Sequence, residues 1–172
     1  MIKFFAVVIE LLVFICAVWL LSFFSMFLHE FGHAAGYMIA TGDKNWHIRV
    51  GWGKQFLNTK QLTVNLLVFD GFFTPSDNKV DTKAKYIMTL LGGPVFSLLL
   101  VIVFGALRFG GQSFHSDFFA DGTIEFFLNT ALYINLFILL FSVAPAHYLY
   151  GEVKGLETDG LQIIHAIKKH DD

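Results

Sequence analysis

Three long apolar segments dominate the pattern of hydrophobic and polar positions along this chain. They cover residues 4–28, 86–107 and 124–144, and polar side chains interrupt each of them at only a few positions. A helix needs about 20 mostly apolar residues to cross the hydrocarbon core of a bilayer. The pattern therefore predicts an integral membrane, mainly α-helical protein with a core of three transmembrane helices. The first segment is too long for the core of a signal peptide, so we expect the mature chain to retain it.

The stretch between the first two apolar segments follows a different pattern. Apolar and polar residues alternate in parts of residues 46–73, and Gly51, Gly53 and Gly71 separate the alternating runs. Alternation of this kind, broken by glycine, is typical of short strands and turns. We therefore predict a small membrane-associated β-region between helices 1 and 2. The sequence contains no repeat or linker, which favours a single domain over residues 1–172.

The composition agrees with a location in the membrane. Hydrophobic residues make up 55% of the chain and charged residues only 15%, whereas an average soluble domain has about 25% charged residues. The net charge of −2 gives no basic surface for nucleic acid. We expect the lipid bilayer to be a partner of this protein and nucleic acid not to be one.

The distribution of lysine and arginine predicts the orientation of the chain. Ten of the twelve basic residues follow either the first or the third apolar segment, and the other two are Lys3 and Arg108. Loops rich in lysine and arginine stay on the cytoplasmic side of a membrane. Three crossings place both basic segments on one face. We therefore predict a multi-pass protein of the cell membrane with its amino terminus outside and a cytoplasmic tail, residues 146–172.

The sequence His29-Glu30-Phe31-Gly32-His33 follows the first apolar segment directly. Two histidines four positions apart lie on one face of a helix, where both can bind one metal ion. The glutamate between them is close enough to act as general base toward a water that zinc activates. Ionisable residues at the edge of a membrane helix are costly and usually functional. We therefore predict a Zn²⁺ site near the cytoplasmic face, with His29 and His33 as ligands and Glu30 as the catalytic base.

A catalytic zinc site needs at least one more protein ligand. The candidates elsewhere in the chain are Asp159, His147, Glu152, Glu157 and His47. Asp159 and His147 both follow the third apolar segment, which places them on the same membrane face as the two histidines. Spacing alone ranks Asp159 only just above His147. In the alternative interpretation Asp159 caps a short helix over residues 161–167.

Several motifs in a fixed order complete the pattern. They are the His29–His33 motif, the glycine-rich segment 47–73, Gly92-Gly93-Pro94 in the second span, Asn135 in the third span, Pro145, and Asp159-Gly160. In this order they resemble the site-2 protease family of intramembrane zinc metalloproteases. The resemblance covers nearly the whole chain, in the form of a minimal three-helix core.

The resemblance implies roles for individual residues. The third zinc ligand of the family is an aspartate followed by glycine, a role that falls here on Asp159. A family asparagine that helps to hold the substrate or the developing oxyanion matches Asn135, which could instead pack between helices through hydrogen bonds. Many members place the proline and the Asp-Gly pair a few residues apart, whereas here residues 146–158 separate them. This departure leaves the path to the third ligand open.

The activity that the resemblance implies is hydrolysis of a peptide bond in or near a transmembrane segment. The substrate would be a membrane protein or a peptide precursor within the membrane. Two other functions stay open from the residues alone. One is a membrane protein that binds or transports zinc without proteolysis, and the other is an inactive chaperone or regulator. The presence of Glu30 argues against the inactive form, because only catalysis needs a base beside the metal.

Overall fold

The computed structural model describes residues 2–77, 79–110, 122–149 and 153–169. The elements in chain order are α1 (Ile2–Thr41), β1 (Trp46–Asn58), β2 (Leu62–Pro75), α2 (Lys83–Phe109), α3 (Thr123–Val143) and α4 (Asp159–Lys168). In the described part of the chain, α1, α2 and α3 are long and apolar enough to cross a membrane. The predicted spans 86–107 and 124–144 agree with α2 and α3, whereas the predicted span 4–28 covers only part of α1.

The first helix is long because its sequence continues past the His29–His33 motif without a helix breaker. Its 40 residues correspond to about 60 Å at the usual rise of 1.5 Å per residue. It ends where the Thr41 hydroxyl donates to the Tyr37 carbonyl and Gly42 adopts a φ of +72°, a conformation that glycine reaches without strain. The motif therefore lies inside a continuous helix.

Glycines allow α1 and α2 to cross in close contact. Gly32 faces the carbonyl group of Gly92, and one turn further along Gly36 faces the carbonyl group of Met88. A Cβ atom on either α1 glycine would overlap with these backbone atoms. Small residues at such crossings let membrane helices approach to backbone contact. Because residue numbers rise on α1 as they fall on α2, the two helices are antiparallel.

The third helix runs in the same direction as α1. Near one end the rings of Phe14 and Phe126 lie 5.0 Å apart, and further along both helices Asn135 Nδ2 donates to Ser25 Oγ over 3.0 Å. Together with the antiparallel α2, this brings the carboxyl ends of α1 and α3 to the same face of the molecule as the start of α2. Both halves of the predicted zinc site lie toward that face.

The β-region consists of two paired strands that bend. Residues 46–50 of β1 pair antiparallel with residues 71–75 of β2, and residues 48–50 also have residues 62–64 as partners. Several register shifts interrupt the pairing, and Gly51, with a φ of +77°, lies where the first shifts occur. The short strands that alternation predicted are thus segments of two longer, irregular strands.

The β-region packs along the middle of α1. Ile48 is fully buried against Ala34, with aromatic side chains of α1 around them. Further toward the start of α1, Trp19 Nε1 donates to the carbonyl of Leu66 over 2.8 Å. Trp19 precedes His29 by ten residues, or about 15 Å along a helix. The strands therefore follow α1 well into the stretch that is apolar enough to lie in a membrane.

Candidate metal centre

The three side chains ranked first as ligands converge on one point. His29 Nε2 and His33 Nε2 are 3.3 Å apart, and Asp159 Oδ2 lies 3.4 Å from the first and 3.3 Å from the second. All three residues are buried. Within the described ranges they are the only group of three or more potential ligands whose ligand atoms lie within 4.8 Å of one another. This group could hold a metal ion.

Helix α2 carries the hydrogen-bond partners that orient both imidazoles. His33 Nδ1 lies 3.0 Å from the backbone carbonyl of Thr89. Because a carbonyl only accepts, Nδ1 carries a proton, and Nε2 faces the centre of the group, where the neutral ring could bind a metal ion. His29 Nδ1 lies 2.9 Å from Ser97 Oγ. Partners of this kind fix the rotation of a metal-binding histidine and raise its basicity.

Helix α4 presents the Asp159 carboxylate to the histidines. Thr158, and not Asp159, caps this helix, since Thr158 Oγ1 accepts from the N–H of Leu161. Asp159 Oδ2 is buried without a hydrogen bond among the described residues. A bound metal ion would supply the missing polar partner. Burial works against its ionisation, but the charges of His33 and His29 hold the pKa of the Asp159 carboxyl below its usual range. The carboxylate is therefore ionised, as a metal ligand must be.

Residues 146–148 pair with residues 156–158 just before α4 begins. The Tyr148 N–H donates to the Leu156 carbonyl over 2.9 Å, and the Thr158 N–H donates to the Ala146 carbonyl over 3.0 Å. These bonds hold the two ends of the segment side by side. The described residues before 150 and after 152 therefore lie side by side, and Asp159 lies close to the end of α3.

The contact between α3 and α4 depends on the glycine after Asp159. A Cβ atom at Gly160 would overlap with the backbone carbonyl of Val143, the last residue of α3. Only glycine therefore lets the first turn of α4 lie directly against the end of α3. This close approach helps to set the distance of the carboxylate from α1.

The other predicted ligands do not join the group. His147 is exposed and pairs with Glu157. His147 therefore lies outside the group that the structure brings together, contrary to the prediction of His147 as an alternative ligand. Glu157 instead contacts His165 Nδ1 at 3.0 Å. His47 lies in β1 and hydrogen-bonds within the sheet, and Glu152 falls outside the described residues.

Glu30 is buried next to the strand β2. A Cβ atom at Gly71 would overlap with the present position of the Glu30 carboxyl group, so the strand passes the glutamate in close contact. The charges of His33, His29 and Asp159 all act on that carboxyl group. Glu30 therefore lies beside the potential ligands, as the motif predicts, and the β-region covers it from one side.

The sequence analysis did not identify the supporting residues Ser97 and Thr89, and it named Gly93 only within the Gly92-Gly93-Pro94 motif. Gly93 lies so close to the rings of His33 and His29 that any Cβ atom there would overlap with them. A serine or threonine in a sequence does not by itself indicate that it will support a metal ligand. The glycine pair at 92 and 93 was the available signal, since it marks a close approach of backbone to another group.

Asn135 packs between helices and is completely buried. Its amide nitrogen donates both to Ser25 Oγ over 3.0 Å and to the carbonyl of Ala131 over 2.8 Å. An amide group has two N–H donors, so both are engaged within the protein. Ser25 lies one turn before His29 on α1. The contacts agree with the helix-packing interpretation, and a role of Asn135 toward the substrate stays a prediction.

The chemistry of this centre follows from its donor atoms. Two imidazole nitrogens and one carboxylate oxygen can bind a divalent ion, and a second carboxylate beside them can accept a proton. No family model, curated protein or solved structure matches this chain. The function must therefore be argued from the residues of the centre and from the helices that carry it.

Proposed function

We propose that this protein is an intramembrane zinc metalloprotease. It would hydrolyse a peptide bond in or near the transmembrane segment of a membrane protein or peptide precursor. One observation carries the proposal: the buried group of His29, His33 and Asp159 lies beside Glu30, and the two histidines and Glu30 belong to a helix that is apolar enough to cross a membrane. A buried set of ligands with a base beside it is costly without a metal ion and a reaction to use it.

The separations of the three ligand atoms suit zinc. Zinc bonds to histidine nitrogen and carboxylate oxygen at about 2.0–2.2 Å, and tetrahedral angles then separate the ligand atoms by about 3.3–3.5 Å. The separations among His29 Nε2, His33 Nε2 and Asp159 Oδ2 are 3.3, 3.4 and 3.3 Å. When bound, zinc supplies Lewis acidity toward the scissile carbonyl and the attacking water.

Glu30 acts as general base and then as general acid in the proposed reaction. Its carboxylate accepts the proton of the water that attacks the scissile carbonyl, and it then passes this proton to the departing amine. The attack forms a C–O bond, and collapse of the tetrahedral species breaks the C–N bond. His29, His33 and Asp159 keep their positions throughout, held by α2 and α4.

The β-region supplies a way to hold an unwound substrate. An intact helix shields its carbonyl groups, so the substrate must become extended before attack. Gly71 of β2 lies against Glu30, and an extended peptide added to a sheet edge there would pass the glutamate. Deletion of residues 61–68 should then abolish cleavage of membrane peptides. A deletion variant that retains both zinc and cleavage would refute the clamp.

The proposed location is the cell membrane, with the amino terminus outside. The carboxyl ends of α1 and α3 lie on the same face as the start of α2, and this face adjoins the basic segments of the sequence. The metal centre would then lie near the cytoplasmic face, and the substrate would reach it from within the bilayer.

Zinc analysis combined with a cleavage assay tests the proposal. The purified protein is reconstituted in lipid vesicles with a panel of apolar peptides, each long enough to cross the membrane once. Each peptide carries either a glycine or an Asn-Pro pair in its span, so that its helix can unwind there. Glu30→Gln should retain zinc and lose cleavage, whereas Asp159→Ala should lose both zinc and cleavage. Glu10→Gln, the same change at an exposed position of α1, is the control for the first variant.

Specific outcomes contradict the proposal or its details. Zinc binding by the wild type without cleavage of any peptide would favour a protein that binds or transports zinc. Cleavage by Glu30→Gln at the wild-type rate would exclude Glu30 as the base. His147→Ala should bind zinc as the wild type does, because His147 is exposed and lies outside the group of potential ligands.

A further inference from the structure

Helix α4 carries the third potential ligand, Asp159, at its first position. It has only ten residues, which correspond to about 15 Å of helix, and a helix this short is marginal by itself in water. Its contacts with the rest of the protein therefore set its position. The contact of Gly160 with Val143 fixes one point, where α4 meets α3. A contact at one point leaves a helix free to pivot, and a pivot would move the Asp159 carboxylate relative to the histidines.

The far end of α4 is bound by the first residue of α2. Lys83 Nζ donates to the carbonyl of Ile167 over 3.0 Å and to the carbonyl of Lys169 over 3.2 Å. The last carbonyl groups of a helix have no partner within it and carry partial negative charge, so an ammonium group suits them. Lys83 is half-buried in this position. It therefore ties the end of α4 to the start of α2.

A second bond joins α2 to the first half of α4. Gln162 Nε2 donates to the carbonyl of Glu157 over 2.9 Å, so the amide nitrogen is turned toward the segment before Asp159. The amide oxygen is left for Tyr86, whose hydroxyl donates to Gln162 Oε1 over 2.7 Å. Glu157 lies two residues before Asp159. Tyr86 is therefore linked, through Gln162, to the backbone that leads into the ligand.

The residues of α2 that hold α4 lie on the same face as those that support the histidines. This face carries Lys83, Tyr86, Thr89, Gly93 and Ser97, at intervals of three, three, four and four residues. Such intervals place side chains on one face of a helix. Thr89 and Ser97 contact the imidazoles, and Gly93 lets the rings approach. One face of α2 therefore contacts both elements that carry potential ligands, α1 and α4.

We propose that Lys83 and Tyr86 are positioning residues of the metal centre, which hold α4 so that the Asp159 carboxylate stays against the two histidines. The inference rests on the zinc site of the proposed function. Neither side chain belongs to the ligand group, and both act through the position of α4. When they are removed, α4 can pivot about its contact at Gly160. The histidines keep their own partners on α2, so the expected defect is confined to the third ligand.

A double variant that removes both groups tests the inference. Lys83→Met with Tyr86→Phe keeps side chains of similar size and removes the groups that donate to α4. The control is Lys85→Met with Tyr133→Phe, because Lys85 pairs with Asp81 before α2 and Tyr133 is 65% exposed on α3. Competition with a zinc chelator in detergent should show zinc binding about 10–100-fold weaker in the first double variant, as for other groups that orient a metal ligand. The control should bind zinc as the wild type does, and equal affinities of the two double variants would overturn the inference.

Cobalt distinguishes a displaced ligand from a weakened fold. Co²⁺ can take the place of zinc, and it absorbs visible light more strongly with four ligands than with five or six. At saturating Co²⁺, Lys83→Met with Tyr86→Phe should absorb more weakly than the wild type, because water replaces the displaced carboxylate and the number of ligands rises. Lys83→Arg should retain the wild-type spectrum, since its guanidinium group can still donate to the end of α4. A wild-type spectrum from the saturated double variant would show that the two residues support only the fold.

Hydrogen exchange of the metal-free protein tests the hold on α4 directly. The amides of α4 should exchange faster in Lys83→Met with Tyr86→Phe than in the wild type or the control, because local opening becomes easier where contacts are lost. The amides of α1 should exchange as in the wild type. Unchanged exchange of α4 would overturn the inference, since the helix would then be held by other contacts.

These measurements separate the inference from the proposed function, because none of them uses cleavage. A wild type that binds zinc and cleaves no peptide overturns the proposed function alone, and the position of Asp159 is then still tested by zinc affinity and by the Co²⁺ spectrum. A wild type that binds neither zinc nor Co²⁺ overturns both the proposed function and the inference.

Discussion

At the scale of single residues, the candidate metal centre depends on the hydrogen-bond partners of the imidazoles as much as on the imidazoles themselves. His33 is held by the Thr89 carbonyl and His29 by the Ser97 hydroxyl. Both partners belong to α2, so the rotation of the rings on α1 is set from a neighbouring helix. A mutation cannot remove the backbone carbonyl, but it can remove the hydroxyl. Ser97 therefore offers a way to measure how much this support contributes.

Ser97→Ala should lower the affinity for zinc by about 10–100-fold, as is usual when a metal-binding histidine loses its outer hydrogen-bond partner. Competition with a zinc chelator measures the affinity. The control is Ser22→Ala, which removes a hydroxyl on α1 that bonds only to the Val18 carbonyl in the described structure. Equal affinities of Ser97→Ala and Ser22→Ala would show that Ser97 does not support His29.

A buried carboxylate at the end of α1 predicts a dependence of stability on pH. The Tyr37 hydroxyl donates to Asp43 Oδ2 over 2.7 Å, and Lys79 Nζ lies 3.3 Å from the same oxygen. First the Tyr37 hydrogen bond and then Lys79 hold the pKa of Asp43 below its usual value, although burial opposes them. A carboxyl group whose pKa is lowered by folding stabilises the fold above its unfolded pKa, and this contribution is lost as the pH falls through the folded value.

Asp43→Asn should therefore be less stable than the wild type at pH 7, and the difference should shrink as the pH falls from about 5 to 3. Thermal unfolding in detergent at a series of pH values measures both proteins. Asp81→Asn is the comparison: the Lys85 hydrogen bond lowers the pKa of the exposed Asp81 too, so this variant should show a difference in the same direction but smaller than that of Asp43→Asn. A difference in stability that stays constant over this pH range would contradict the assignment.

Part of the metal centre could be predicted from the sequence, for a physical reason. His29 and His33 belong to one helix, where the spacing along the chain fixes the spacing in space. Spacing could not separate Asp159 from His147, because the segment between α3 and α4 had no predictable path. In the structure Asp159 lies beside the two histidines at the start of α4, whereas His147 is exposed and outside this group. Ser97 lay beyond prediction, since its contact depends on how two helices cross.

At the scale of elements, the crossing of α1 and α2 determines the position of the whole site. The two backbones touch at Gly32 and Gly92, within the His29–His33 motif. The spans, the β-region and their order could be predicted from hydrophobic patterning alone. The bends and register shifts of the strands could not, because they arise from packing against α1.

Replacement of the crossing glycine tests this geometry. Gly32→Ala should lower the free energy of unfolding by about 1–3 kcal/mol, because its Cβ atom would overlap with the Gly92 carbonyl and the helices would have to separate. Gly105→Ala is a matched control within α2, where a Cβ atom would meet only Leu132 Cδ1 at an ordinary 3.9 Å. That variant should be neutral or stabilised by up to about 1 kcal/mol.

Chemical unfolding in detergent micelles gives both free energies. Gly32→Ala should also lower zinc affinity, because a wider crossing moves Thr89 and Ser97 away from the histidines. Equal stabilities of the two alanine variants would show that the backbone contact at Gly32 does not constrain the fold.

At the scale of the whole molecule, helix directions and charge distribution support the same orientation. Contacts between the helices bring the end of α1, the start of α2 and the end of α3 to one face. Most lysines and arginines of the sequence lie in the segments that adjoin this face. The positive-inside rule predicts that this face is cytoplasmic. The fold shows which helix ends lie together, and the charges are the basis for predicting which side of the membrane they occupy.

Labelling of single cysteines tests that orientation. In a Cys16→Ser background, Lys169→Cys places a thiol just after α4, and Phe109→Cys places one at the far end of α2, where Phe109 is 73% exposed. A membrane-impermeant maleimide added to intact cells should label Phe109→Cys only. Lys169→Cys should react only after the membrane is permeabilised. Both variants should retain zinc, which confirms that they are folded. Labelling of Lys169→Cys in intact cells would reverse the orientation and place the metal centre near the outer face.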